Sequence, residues 1–402
     1  MLNKLRYFCS LTKRFMNKLL YYIIGILVAV GGAACGREEP AAPEPVTPVR
    51  KTVLVYMPWS AGEGTTTGSL YDHFLRNIAD IERAIVAEGT LGGTRLLVAI
   101  ANDYHHLDLI EVSLAGGACR RDTLLAYTSP QYSSGQWLVT LFNQVATTAP
   151  ASTYALIVGA HGTGWLPPGS RPHRSRAFGG RTASTQADVT TLAAAIAASR
   201  LRHLQFVCFD DCYMANVETA YALREVTDRL IASTSEVMDA GLPYADAWPH
   251  LYAEPDYRAV CDLFLQFYNR YRMPYGTLSV IDCTVMDSLA AAMLAANDAV
   301  DGSAPEGVQA LDGFGKTVFY DMGDYVARAC GDAVAAAAVK VALDRAVVAT
   351  CCTPALYSVY LDTYDRTFFV NTTCGLTISD PTVNEAALPT LRSTAWWRAT
   401  HR

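Results

Sequence analysis

Tyr154-Ala-Leu-Ile-Val-Gly159, running into Ala160-His161-Gly162-Thr163-Gly164-Trp165, is the stretch on which the fold turns. An apolar run that stops at a glycine-rich bend reads as a buried strand and its carboxyl end. A second such run, Leu204-Gln-Phe-Val-Cys-Phe209, leads into Asp210-Asp211-Cys212-Tyr213-Met214. Between the two, Asp188 to Ser199 has helical spacing, with Asp188 in the N-cap place. Strand, helix and strand in that order imply a parallel pair joined by a right-handed crossover. Open α/β sheets carry their sites at the carboxyl ends of such strands. Here one end presents an imidazole and the other a thiol, the pairing of a nucleophile with its acid/base partner.

The same alternation extends outward. Thr52 to Met57 reads as an apolar strand, Leu70 to Glu88 as an amphipathic helix and Thr94 to Ile100 as the next strand. Leu107–Leu114 and Thr123–Tyr127 read as a hairpin, and Gln136–Thr147 as a helix. Asn216–Val226 is helical in pattern, and Arg229–Ser233 and Thr277–Asp282 are short strands. The expected fold is α/β: a largely parallel sheet of at least six strands, covered by helices on both faces. Beyond about Val285 the texture becomes Ala-rich. Met286–Val300 and Tyr325–Ala349 read as helices, and Gly375–Ser379 as a strand that returns to the sheet edge. This divides the chain into residues 1–34 (signal), 35–50 (tether), 51–285 (core) and 286–402 (helical C-terminal subdomain).

Composition is globular, at 51% hydrophobic and 17% charged. The formal charge is −6; the first 34 residues hold five basic side chains and no acid, so their removal leaves −11. A chain that acidic argues against nucleic acid as a partner. Leu19 to Val30 is apolar, preceded by basic residues and followed by Gly31-Gly-Ala-Ala34 and Cys35, the pattern of a secretory signal. Met16-Asn17-Lys18 before the apolar run makes a complete signal by itself, so Met16 is a candidate start. The segment resembles a bacterial lipoprotein signal with Cys35 as the lipidated residue, although Gly32 stands where a larger aliphatic is usual. Glu38-Glu39 and the prolines at 40, 43, 45 and 48 read as an extended tether, and acids just after such a cysteine resemble a surface-export signal of Bacteroidetes lipoproteins. The expected location is the cell envelope, lipid-anchored, with the outer membrane favoured.

Of eleven cysteines, eight remain once Cys9, Cys35 and Cys212 are set aside, an even number that permits disulfides in an exported chain. Cys208 and Cys283 lie in apolar runs and read as buried small hydrophobes. There is no C-x-x-C pair, and no zinc site is expected.

A thiol needs ionisation to attack, and a helix N-terminus or a neighbouring imidazolium supplies it. Cys212 is expected to have both, since it follows a strand and opens the helix carrying Val217, Tyr221 and Leu223. Backbone N–H groups at its turn are candidates for holding an oxyanion. Gly162 and Gly164 let the chain turn sharply at His161 and let a substrate come close. The chemistry this suits is acyl transfer: attack on a carbonyl, a thioester, then hydrolysis.

His161-Gly-Thr-Gly-Trp165, Phe209-Asp-Asp-Cys-Tyr-Met214 and Val217-Glu-Thr-Ala-Tyr221 together resemble the clostripain family of cysteine peptidases, of the caspase-like clan. Ser235-Glu236, Gly241-Leu-Pro-Tyr244 and, more loosely, Thr277–Ile281 and Gly375–Ile378 extend the resemblance. It implies a caspase-like α/β/α sandwich and an endopeptidase that cuts after Arg or Lys. His161 is then the general acid/base and Cys212 the nucleophile, while Asp210 and Asp239 are the acids that receive the basic P1 side chain. The alternative for Asp210 is helix capping, and for Asp239 a solvated loop acid. Asp211 departs from the family, where a small Ala is typical, and a carboxylate beside the thiol would oppose ionisation. That departure motivates the alternative of a surface-displayed binding protein on the same fold; a transpeptidase or amidase is a third. Arg174 and Arg176, in a loop between the dyad residues, are the expected positions of self-cleavage. Some family members need calcium; no EF-hand pattern occurs here, so no cofactor is expected from a motif and calcium stays open.

Overall fold

The computed structural model describes residues 49–58, 70–166, 178–180, 183–300, 306–384 and 387–402. The signal, Cys35, most of the tether, and Arg174 and Arg176 lie outside the described residues. No described helix is long and apolar enough to cross a membrane.

Lys51–Met57 (β1) is buried along its whole length, as a central parallel strand must be. Tyr71–Glu88 (α1) follows and is closed by Gly89, whose φ of 67° lets its N–H reach the carbonyls of Ile85 and Val86. Next come Thr94–Ala101 (β2) and the hairpin His106–Ala115 (β3) and Ala118–Thr128 (β4), then Gly135–Thr148 (α2) and Thr153–Val158 (β5). His161–Gly162 (β6), Phe178–Gly179 (β7) and Gln186–Ala187 (β8) form a small three-stranded sheet. Val189–Ala198 (α3), whose first turn is capped by Asp188 through the Thr191 N–H at 2.6 Å, crosses to Leu204–Phe209 (β9). Val217–Leu223 (α4), Thr227–Ala232 (β10), Tyr244–Ala247 (α5), Tyr257–Tyr268 (α6), Thr277–Asp282 (β11) and Met286–Asn297 (α7) complete the first two-thirds.

The strands assemble as β4-β3-β2-β1-β5-β9-β10-β11 with one more strand beyond β11, nine in all. The central strands β2, β1, β5, β9 and β10 are parallel, and antiparallel strands flank them on each side. Side chains alternate between two cores. Leu54, Tyr56, Leu156, Val158, Val207 and Phe209 join the core with α2, α3 and α7. Val53, Val55, Ala155, Ile157, Phe206 and Cys208 join the one with α1 and α6. Each fully buried Leu or Phe in these layers contributes about 1.5–3 kcal/mol. The result is an α/β/α sandwich. Cys208 and Cys283 are buried at 1% and 0% exposure, as their apolar surroundings imply.

The C-terminal third departs from expectation. The stretch read as one helix over Tyr325–Ala349 is two, Met322–Ala329 (α8) and Ala333–Ala346 (α9), because Asp332 caps a fresh start through the Val334 and Ala335 N–H groups. Its end is a strand, Val347–Cys352 (β12), antiparallel to β11, and this is the added sheet edge. Thr377–Ile378 does not return to that edge; it pairs with Tyr320–Asp321. Ala355–Tyr357 and Thr367–Phe369 make a separate hairpin. Residues 48–402 form one compact unit.

Candidate active site

The parallel register of β5 and β9 sets Val158 opposite Phe209. His161 and Cys212 each stand three residues beyond that pair, so the two turns leave the sheet at equal height. Their contact is intimate. A Cβ placed on Gly162 would lie 2.5 Å from the Cys212 carbonyl oxygen, 2.6 Å from the Asp211 Cβ and 3.0 Å from the Cys212 nitrogen. Only glycine lets the backbone beside His161 rest on the backbone of Cys212. His161 is further held by antiparallel pairing with Gly179. Gly164 has a different reason: its φ is 66°, and a Cβ there would meet Phe319 at 2.7 Å.

The Cys212 turn is fixed from several directions. Tyr213 adopts a φ of 62°, a left-handed conformation that a bulky residue keeps only when its surroundings insist. Its N–H donates to the Ser235 carbonyl at 2.9 Å, its ring stacks on Phe319 at 5.1 Å, and its hydroxyl donates to Glu236 at 2.9 Å. Asn216 donates from Nδ2 to the Tyr213 carbonyl at 2.8 Å while its Oδ1 caps α4 through the Thr219 N–H. The helix therefore opens at Asn216, not at the nucleophile. Four residues separate Cys212 from Val217 and the thiol is not in a helical first turn, which corrects the expectation of activation by a helix N-terminus. The same cap occupies the place that the capping alternative gave to Asp210.

The half-buried sulfur instead accepts the Val237 N–H at 3.2 Å. Burial raises the Cys212 thiol above its ordinary range, the Glu236 carboxylate adds to this, the Val237 N–H opposes it, and Asp211 and Asp210 raise it further. The resting sulfur is thus a thiol, and its proton must leave during attack.

Glu236 also receives Ser358 Oγ at 2.5 Å and the Val359 N–H at 3.1 Å. This ties the loop between the C-terminal hairpin strands to the rim of the site. Sequence reasoning gave Glu236 no role, and its partner 122 residues away leaves no local signal.

Asp211, expected to trouble the thiol, is buried to 1% exposure and turns the other way: its Oδ1 accepts the Ala160 N–H at 2.6 Å. Burial pushes its carboxyl well above the carboxylate range, the Ala160 N–H opposes this and Asp210 adds to it. Asp210 faces the loop after β10. Its Oδ1 accepts the Leu242 N–H at 2.8 Å and its Oδ2 the Tyr244 hydroxyl at 3.0 Å, while Gly241, with a φ of 68°, leaves room for the carboxylate. Burial raises Asp210 to about 6, against the lowering effect of those two donors. Asp239 lies two residues before Gly241 on that loop. It accepts Tyr271 Oη at 2.9 Å and pairs with Arg272 at 2.9 Å, and its side chain is 34% exposed. So Asp210 and the Asp239 loop meet, and Asp239 is a tethered rim acid rather than a freely solvated one. Among the described residues no group of three or more His, Cys, Asp or Glu could hold a metal ion.

A thiol and an imidazole-bearing turn pressed together at the carboxyl edge of a parallel sheet mark the chain as an α/β cysteine hydrolase. The Clostripain family model matches residues 72–325. A secreted C11 cysteine protease from Bacteroides thetaiotaomicron, "iotapain", is 35% identical, with a TM-score of 0.80 over 88% of this chain and 99% of that one. An inactive zymogen C11 protease from Parabacteroides distasonis is 26% identical, with a TM-score of 0.76 over 89% and 99%. A clostripain from Bacteroides thetaiotaomicron, solved with the peptide inhibitor BTN-VLTK-AOMK, is 42% identical over 56% of this chain and 99% of that one, with a TM-score of 0.53. No match was found among curated proteins. The chain belongs to the clostripain family of cysteine peptidases.

Proposed function

We propose that this peptidase is an exported endopeptidase that cleaves after Arg or Lys, with Cys212 as nucleophile and His161 as general base and acid. The observation that carries the reading is the seating of Gly162 on the Cys212 backbone at equal strand register. The imidazole takes the thiol proton as sulfur attacks the scissile carbonyl. The tetrahedral intermediate collapses to a thioester as the amine leaves with that proton, and water then releases the acid. The Val237 N–H steadies the sulfur as it gains charge.

Asp210 and Asp239 are the proposed receptors for the basic P1 group. In support, both belong to one loop cluster beside the nucleophile, and the related clostripain's inhibitor has a peptide part that ends in lysine. Asp210→Asn is expected to lower kcat/KM for an Arg-amide about 10²-fold, with a much smaller change for an uncharged norleucine-amide. With Asp210 near 6, its carboxylate is present above that pH and lost below it. KM for the Arg substrate therefore rises as pH falls through about 6. Steady-state kinetics with the two substrates over pH 5–8 measures both effects, and equal losses for both substrates would remove Asp210 from the P1 site.

Lipidation of Cys35 and anchoring in the envelope complete the proposal, resting on the signal pattern and the Pro/Glu-rich tether. Self-cutting after Arg174 or Arg176 is proposed as well, beside a relative solved as an inactive zymogen. Wild type should mature into two fragments on storage while Cys212→Ala stays intact, as read by intact mass. Identical single bands from both would reject self-cutting. The Asp211 carboxyl is directed to the Ala160 amide and ranks behind burial and Glu236 in its effect on the thiol, which favours the peptidase over an inactive binding protein.

A further inference from the structure

Where β5 and β9 part, the last backbone rung is the Asp210 N–H donating to the Val158 carbonyl at 2.8 Å. The Gly159 N–H goes the other way, to Tyr56 at 3.0 Å. The next donor on the β5 side is the Ala160 N–H, which has run past the end of its ladder. Buried backbone donors need partners. Asp211 Oδ1 supplies one at 2.6 Å, so a side chain replaces the missing rung. The residues joined are the ones immediately before His161 and Cys212. The Asp211 Cβ also lies under Gly162, 2.6 Å from where a Cβ there would sit, so the same side chain supports the turn from beneath.

We infer that Asp211 is a positioning residue for the proposed dyad, holding the His161 turn in register with the Cys212 turn through the Ala160 amide. The inference rests on the catalytic reading given above. Asp211 is almost fully enclosed, and its Oδ2 has no hydrogen-bond partner among the described residues. The working contact is thus a single acceptor oxygen. Asp210, the Cys208 and Cys212 thiols and Tyr244 interact with it electrostatically, and none of these four is a cation. A neutral acid is the form such surroundings favour, and an amide of the same shape reproduces its acceptor.

This fixes opposite outcomes for two variants. Asp211→Ala should lower kcat about 10²-fold with KM nearly unchanged, the scale of loss that follows a small misplacement of reacting groups. Asp211→Asn, which keeps the Oδ1 acceptor, should restore most of kcat. A carboxylate that merely hindered the thiol would give the reverse, with Asp211→Ala faster than wild type. A filler of space would lower thermal stability in both variants without separating kcat from KM. Amide hydrogen exchange at Ala160 reads the bond without any turnover. Protection should be present in wild type and Asp211→Asn and lost in Asp211→Ala. Unchanged protection in Asp211→Ala, or a kcat that does not fall, overturns the inference. A wild type that lacks turnover would refute the dyad, while exchange at Ala160 would still decide whether Asp211 holds the turn.

Discussion

Replacing Cys212 by alanine is expected to lower hydrolysis of an Arg-amide by about 10⁴-fold or more, to the level that binding and backbone dipoles alone sustain. The thiol stands three residues past β9, beside the turn that leaves β5, and the loop from β10 directs the Val237 N–H at its sulfur. Because burial, with the Glu236 carboxylate beside it, keeps the sulfur protonated at rest, attack depends on a base. His161→Ala should therefore lose nearly as much as Cys212→Ala, and the double variant should be no worse than either single one, since groups that act as a unit are not additive. Initial rates normalised to protein concentration give the three numbers. A Cys212→Ala protein that retains a tenth of wild-type activity would place the chemistry elsewhere.

The second large effect comes from a methyl group. Gly162→Ala puts a Cβ within 2.5 Å of the Cys212 carbonyl oxygen and 2.6 Å of the Asp211 Cβ. The nearest atom and the nitrogen at 3.0 Å belong to backbone, so no flexible tip can swing aside. One turn must shift relative to the other, by the difference between that approach and an ordinary contact. A displacement of that size between nucleophile and base costs about 10²-fold in kcat, while groove contacts that set KM are largely spared. Circular dichroism and the melting curve should show a folded protein. Wild-type kcat in Gly162→Ala would mean that the two turns do not touch.

Much of this site is legible in the chain itself because it follows from local pattern. The apolar runs 154–159 and 204–209 become β5 and β9, Asp188 caps the crossover helix, and the two glycines of the 161–165 bend each answer a specific need. What local pattern misleads on is equally specific. Asn216 and the left-handed Tyr213 stop the helix from reaching back to Cys212, a choice that depends on Ser235 and Phe319, distant in sequence. Val347–Cys352 follows an Ala-rich helix and inherits its apparent period, yet docking against β11 makes it a strand. The direction of the Asp211 carboxyl could not be read from residue type, since it answers an amide freed by the splaying of two strands. Glu236 is held through Ser358, Val359 and Tyr213, a convergence of three segments.

The measurement closest to the centre of this account is the rate at which an arginyl chloromethyl ketone alkylates the protein, with the adduct located by peptide mass. The prediction is a single adduct on the sulfur of Cys212, formed about 10²-fold more slowly in His161→Ala. An adduct on another cysteine, or a Cys212 rate indifferent to loss of the imidazole, would contradict the pairing of these two side chains.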